Sequence, residues 1–338
     1  LWISSLEDSA IKEGFNHLRD SSDYDKLYEA ALSRSKADWI VGINGTRLFT
    51  TLYKKRLVVG RVQTPTLAML VEREGKITTF HKEKYFNVHV QKDGLTADME
   101  KIKTEDEAKA IAAACDKKQA VVSSLKRETK TVNPPKLYDL TTLQRDANRV
   151  LGYTAQQTLD YTQALYEKKL VTYPRTDSRY LTEDMAETIP HLVSSVWSAF
   201  PVDGAASPSV HTGQVVNNKK VTDHHAIIPT KEVLKYNFAE LPKGELAVLK
   251  LISTRLLVSV ANAHRFAETV IEVSCGDAVF TAKGKTVVEN GWKGMEQKRN
   301  STKIDKELPP VSEGTSLEVV GVEIKEGKTK PPAHFTEG

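Results

Sequence analysis

The sequence predicts a multidomain protein of mixed α and β structure, and three observations lead there. Its 338 residues exceed what one hydrophobic core usually serves. Apolar residues recur at helical spacing in the opening region and again in the middle of the chain. Two valine-rich stretches with strand character stand on either side of that middle block. A β domain interrupted by an inserted helical domain is the simplest topology for that order.

Taken in order, the spacing of Trp39, Ile43, Leu48 and Leu52, then of Leu67, Leu70 and Val71, predicts largely helical sequence from Ser33 to about Gly75. Arg34, Lys36, Arg47, Lys54, Lys55, Arg56 and Arg61 punctuate it and could form a surface that contacts a nucleic-acid backbone, although charge runs of this kind are usually just solvated faces. Asp23-Tyr24-Asp25 has the spacing of paired metal carboxylates, but it lacks the glycine-acid company of a cation loop and reads as solvated surface. Composition shifts near Tyr85. Val88, Val90, Val121 and Val122 form one β-rich stretch, and Val270, Ile271, Val273, Val279, Phe280, Val319, Val320 and Val322 form the other, with a Gly-Asp turn inside it. The two are expected to share one sheet, and Lys303 to Gly314 to form a surface loop.

Between them, from about Pro134 to His264, helical signals return. Leu140, Leu143, Ala147, Val150 and Leu151 line one face, and Gly152 provides a stop. Thr154-Ala155-Gln156-Gln157 has the form of a capping box, so two helices follow each other at helix-turn-helix spacing. Leu246 to Val260 predicts a further buried helix, with Leu249, Leu251, Ile252, Leu256 and Leu257 serving the core.

Composition narrows the setting. The formal net charge is only +4, so any electrostatic footprint must come from local arrangement. The two cysteines, Cys115 and Cys275, have neither zinc-site spacing nor the number of a disulfide framework, which predicts core packing in a reducing compartment. No apolar stretch approaches the roughly 20 residues that span a bilayer, and no signal peptide is visible, so no membrane association and a cytoplasmic location are expected.

The chemistry concentrates at Thr172-Tyr173-Pro174-Arg175-Thr176-Asp177-Ser178, where a phenol, a guanidinium and a carboxylate fall within five positions. Tyrosine, with an ordinary pKa of about 10, is a poor nucleophile at neutral pH unless a cation or base favours its ionised form. Arg175 is the cation at hand. A residue preceding proline is driven toward extended backbone, and residues two apart on extended backbone point the same way, so Tyr173 and Arg175 are expected to converge on one phosphate. A solvated turn is the plainer reading of the heptapeptide. The preceding helix favours the functional one, because Gln156, Asp160, Gln163 and Glu167 form a polar stripe aimed at the loop. His224 and His225 are adjacent and cannot both face one way on a regular element, and no further ligands at suitable spacing support a metal site.

The run Leu170-Val171-Thr172-Tyr173-Pro174-Arg175-Thr176-Asp177-Ser178-Arg179-Tyr180-Leu181 closely resembles the active-site signature of type IA DNA topoisomerases, in the version typical of bacterial topoisomerase III. Ala37-Asp38-Trp39-Ile40-Val41-Gly42-Ile43-Asn44, Val59-Gly60-Arg61-Val62-Gln63-Thr64-Pro65-Thr66-Leu67, Asp223-His224-His225-Ala226-Ile227-Ile228-Pro229-Thr230 and Lys330-Pro331-Pro332-Ala333-His334-Phe335-Thr336-Glu337 resemble further segments of that family, in the same order. The resemblance implies a type IA core: a helical DNA-gripping domain over residues 1–81 to which 331–338 returns, an arching β domain over 82–133 and 265–330, and an inserted winged-helix-like domain over 134–264 that bears the tyrosine.

It also implies roles. Tyr173 would be the nucleophile, Arg175 would stabilise phosphoryl oxygens, and His224 would stand near the scissile phosphate as a hydrogen-bond or proton donor. Glu167, Gln163 and Asp177 would order the surrounding network, and Thr172 and Thr176 would position the loop. Arg34, Arg61, Gln63 and Thr64 fall where the family grips single-stranded DNA beside the cleavage site. Magnesium is implied for the full-length enzyme, with its ligands in an acidic N-terminal domain. Because the chain opens on Leu1-Trp2-Ile3 rather than methionine, it is expected to be an excised piece lacking that domain, holding no metal and inactive alone. The implied partner is single-stranded DNA, bound by a monomer at the nucleoid. Two alternatives stand beside this. The chain could act only as a single-stranded DNA-binding module; or it could be a tyrosine relaxase, which needs two histidines flanking one hydrophobic residue, or a recombinase, which needs several separated arginines and duplex DNA.

Overall fold

The computed structural model describes residues 8–92, 94–202, 207–296 and 307–337, with the side chains of 8–10 left aside. The Leu1-Trp2-Ile3 run and the first part of the expected 303–314 loop lie outside the described residues; residues 307–314 have no helix or strand. The chain divides into two compact units, Leu1–Glu83 with Thr329–Thr336 and Lys84–Lys328 with Glu337–Gly338.

The first unit is helical: α1 (Asp8–Asn16), α2 (Asp25–Tyr53) and α3 (Gln63–Thr78). The Asp20 carboxylate caps the short turn before α2 by accepting the Ser22 N–H. Asp23 and Asp25 are solvent-exposed. The sequence reads as helix from Ser33 to Gly75, but the structure breaks it between Tyr53 and Gln63. Lys54 closes α2 in the left-handed region at φ 51°. The break is stabilised by side chains of α2 itself, since Thr50 Oγ1 accepts the Leu57 N–H at 3.2 Å and Thr46 Oγ1 accepts the Val59 N–H at 3.0 Å. These hydroxyls replace helical partners for backbone donors that would otherwise be unmet. Residues of the returning segment meet α3, where Arg73 donates to the Ala333 carbonyl and lies 4.2 Å from the Phe335 ring centroid.

The second unit holds a seven-stranded antiparallel sheet and a helical insertion. Its elements are β1 (Lys84–Lys92), β2 (Leu95–Ile102), α4 (Glu105–Cys115), β3 (Gln119–Val132), α5 (Leu140–Leu151), α6 (Ala155–Glu167), α7 (Ile189–Ala199), α8 (Lys243–Ser259), β4 (His264–Cys275), β5 (Ala278–Glu289), α9 (Lys293–Glu296), β6 (Ser316–Glu318) and β7 (Gly321–Lys328). The sheet order is β6-β3-β4-β5-β2-β1-β7. Along β1, Phe86, Val88 and Val90 are buried at every second position, the period that puts one strand face on a core. That core includes Ala108 and Cys115 of α4 and Cys275. Burial, reinforced by Cys275, pushes the Cys115 thiol up to about 12.

β3 and β4 run together until Val132 faces His264, and the chain leaves and re-enters the sheet at that end. Everything between forms the insertion. The Trp292 indole N–H donates to the Val132 carbonyl at 2.9 Å and pins this doorway. Within the insertion, α5 is capped by Asp139 and closed by Gly152 in the left-handed region at φ 72°. α6 opens with both bonds of the capping box, between Thr154 and Gln157. α8 supplies the central core helix, with Leu249, Leu251, Ile252, Leu256 and Leu257 all buried.

Candidate active site

The loop carrying Tyr173 is set by what precedes it. α6 ends at Glu167, Lys169 takes φ 62°, and the Leu170 N–H returns to the Leu165 carbonyl at 2.9 Å. Leu170 and Val171 are then fully buried, which anchors the chain just before the reactive residues. From there the loop is stitched to residues 224–230. The Thr230 N–H donates to the Leu170 carbonyl, Val171 bridges Pro229, and the Thr172 N–H donates to the Ile228 carbonyl at 2.9 Å. Thr172 Oγ1 donates to the Ala226 carbonyl at 3.1 Å and accepts the Ile228 N–H at 3.0 Å. Thr176 Oγ1 donates to the His224 carbonyl at 2.8 Å and accepts the Ser178 N–H at 3.1 Å. Both threonines thus occupy positions where a methyl group would leave several backbone groups unpaired.

Tyr173 is half-buried in this frame. Its ring lies 4.4 Å from that of His224, tilted by 44°, and 5.4 Å from that of Tyr166 in an edge arrangement. His225 points elsewhere: it is buried, with Nδ1 2.8 Å from the Ala226 carbonyl. Arg175 is exposed and makes no ion pair or hydrogen bond among the described residues. Asp177 is also exposed and accepts from Thr222 Oγ1 at 3.2 Å.

The polar stripe of α6 is present but largely pairs with itself. Gln156 donates to Asp160 at 2.7 Å and Gln163 to Glu167 at 3.0 Å. α6 meets Tyr173 through Tyr166, a residue the sequence reading passed over. Its available signal was an aromatic ring in the last turn of the helix feeding the loop.

The four residues assigned to DNA gripping belong to the first unit. Arg34 is exposed on α2, and Asp38, one turn later on the same face, accepts from Arg61 Nε at 2.9 Å. That pair is solvent-exposed on both sides, so exchanging the carboxylate for a phosphate costs less than about 1 kcal/mol. Gln63 begins α3, and Thr64 Oγ1 accepts the Gly60 N–H at 3.1 Å. Arginine suits phosphate because its planar fork donates two parallel bonds.

Among the described residues, no group of three or more His, Cys, Asp or Glu is placed to hold a metal ion. No described helix is long and apolar enough to cross a membrane.

The DNA topoisomerase family profile matches residues 22–338. The chain is 42% identical to DNA topoisomerase 3 of Bacillus subtilis over 359 aligned residues, covering all of this chain and 49% of that protein. It is 40% identical to DNA topoisomerase 3 of Shouchella clausii, again with full coverage of this chain and 48% of the relative. The chain therefore spans about half the length of the curated relatives it matches. The solved structure of full-length topoisomerase I from Thermotoga maritima superposes with a TM-score of 0.74 at 27% identity, over 99% of this chain and 56% of that one. Motif order, architecture and these similarities converge: the chain belongs to the DNA topoisomerase family, with the type IA core and topoisomerase III-like sequence.

Proposed function

We propose that this chain carries the strand-cleaving tyrosine of a type IA topoisomerase, which opens and rejoins one DNA strand so that another can pass. Tyr173 Oη attacks a backbone phosphorus of single-stranded DNA. A bond forms between the phenol oxygen and phosphorus, the bond from phosphorus to the 3′ oxygen breaks, and that oxygen takes up the proton the phenol gives away. The 5′ end stays on the protein as a phosphotyrosine beside a free 3′ hydroxyl. One diester replaces another of similar energy, so the reverse attack reseals the strand without a nucleotide. Arg175 stabilises the phosphoryl oxygens and His224 donates to them or to the leaving oxygen. Glu167, Gln163 and Asp177 order the polar surroundings, and Thr172 and Thr176 hold the loop.

Arg34, Arg61, Gln63 and Thr64 grip the strand, whose affinity should fall with salt as a backbone-contacting groove requires. Magnesium enters as a cofactor of the whole enzyme, held outside these residues. The isolated chain, a monomer, binds single-stranded DNA without cleaving it, in the cytoplasm at the nucleoid.

What supports the reading is the packing of the His224 ring on Tyr173, two residues before an exposed Arg175 that has no ion-pair partner among the described residues, in a chain of this family. The test is covalent capture. The chain joined to the metal-binding domain of a relative is incubated with an oligonucleotide labelled on its 3′ side and quenched with detergent. Label should remain on the protein, and mass spectrometry should place it on Tyr173. Tyr173→Phe should abolish the adduct with DNA binding nearly intact; adduct persisting in that variant refutes the assignment.

A further inference from the structure

Past Tyr173 the loop runs to a second aromatic residue, and two ammonium groups converge on it. Lys136 Nζ lies 5.2 Å from the Tyr180 ring centroid and Lys220 Nζ 4.9 Å from it. Lys220 Nζ also donates to Tyr180 Oη at 3.4 Å. Three separate segments supply these groups: Lys136 precedes α5, Tyr180 follows the reactive loop, and Lys220 ends the short turn Asn218–Lys220. The Tyr180 and Lys220 backbones are joined through Ser178, whose Oγ donates to the carbonyls of Lys220 at 2.8 Å and Tyr180 at 3.3 Å. Ser178 N–H in turn donates to Thr176 Oγ1, the hydroxyl bonded to His224. The cluster is therefore tied by successive hydrogen bonds to the frame that holds Tyr173.

Among the described residues neither lysine forms an ion pair, and Asp177, the acid on the same loop, takes its bond from Thr222. Lys136 Nζ spends one donor on the Gln214 carbonyl at 3.1 Å, and each ammonium has others left. Two like charges drawn to one ring are mutually repulsive, and the ring face offsets only part of that. An anion between them would relieve the rest. Burial works against ionising the Tyr180 phenol, but the Lys220 bond and the fields of both lysines outweigh it and hold the phenol below its ordinary range, a mark of locally positive potential.

We propose that Lys136, Tyr180 and Lys220 form a phosphate site that holds a second backbone phosphate of the DNA strand attacked by Tyr173. The inference rests on the function proposed above. Lysines act on phosphate as point charges and read no base, so the site would position the strand without choosing its sequence.

The test uses the 338-residue chain and a fluorescently labelled single-stranded oligonucleotide, with affinity measured by anisotropy across a salt series. The Lys136→Gln, Lys220→Gln double variant should bind about tenfold more weakly, the change expected for one charge-assisted hydrogen bond. Its log-log salt slope should be shallower by about 0.7, the value for one single-strand phosphate contact. Lys136→Arg with Lys220→Arg should restore both. Lys219→Gln removes an exposed charge next door and should leave both unchanged. An unaltered slope in the double variant overturns the site while leaving the Tyr173 assignment intact; an equal loss with Lys219→Gln overturns it as bulk charge. No binding by the unmodified chain would remove the underlying reading and this site together. Thermal melting of the double variant separates these outcomes from misfolding.

Discussion

α8 in the inserted region buries ten of its seventeen residues, whereas α2 in the first unit, with twenty-nine, buries none. Both helices are rich in large apolar side chains. Those of α8 pack into the core that includes Leu143, Leu165 and Ile228, while Trp39, Ile40, Val41, Leu48 and Leu52 of α2 stay exposed. The difference teaches that apolar content reports what a helix can bury and not what it does bury. Area removed from water is worth about 25 cal/mol per Å², so α8 is held by tertiary packing. α2 relies on its backbone ladder and on local bonds such as those Asn44 and Thr51 donate to the carbonyls of Ile40 and Arg47.

Substitutions can break or sharpen that contrast. Leu256→Ala, at a fully buried position of α8, should cost about 2–5 kcal/mol in denaturant unfolding, while Leu52→Ala on α2 should stay within about 0.5 kcal/mol. Similar losses at the two sites would erase the distinction. Thr154→Ala removes the hydroxyl that accepts the Gln157 N–H, leaving only the reciprocal bond from the Thr154 N–H to Gln157 Oε1, and should destabilise the insertion by about 1 kcal/mol, visible as faster amide exchange in the first turn of that helix. Arg61→Ala should alter stability least, because its ion pair with Asp38 is solvent-exposed. It should nevertheless weaken single-strand binding, with a log-log salt slope shallower by about 0.7. An unchanged slope would take Arg61 off the list of phosphate contacts.

What could be read from the sequence follows the range of the forces involved. The mixed fold class, the Gly152 stop and the Thr154 cap were legible because each depends on residues only a few positions apart. The buried face of α8 was legible from its spacing. The break after Tyr53 was not, since apolar residues keep recurring across it and the stabilising hydroxyls of Thr46 and Thr50 lie on the helix already formed. Nor was the return of β7 to the edge beside β1, a pairing set by closure over most of the chain. At the candidate site the Tyr173 loop and His224 could be picked out by resemblance, but the edge contact of Tyr166 could not. The polar stripe of α6 drew attention to Gln163 and Glu167, which bond each other, while the ring beside them makes the contact.

The threonine bonds that sew residues 170–176 to 224–230 have a mechanical consequence. The phenol and its imidazole neighbour are cargo on one ribbon, so a swing that carries Tyr173 carries His224 by the same amount.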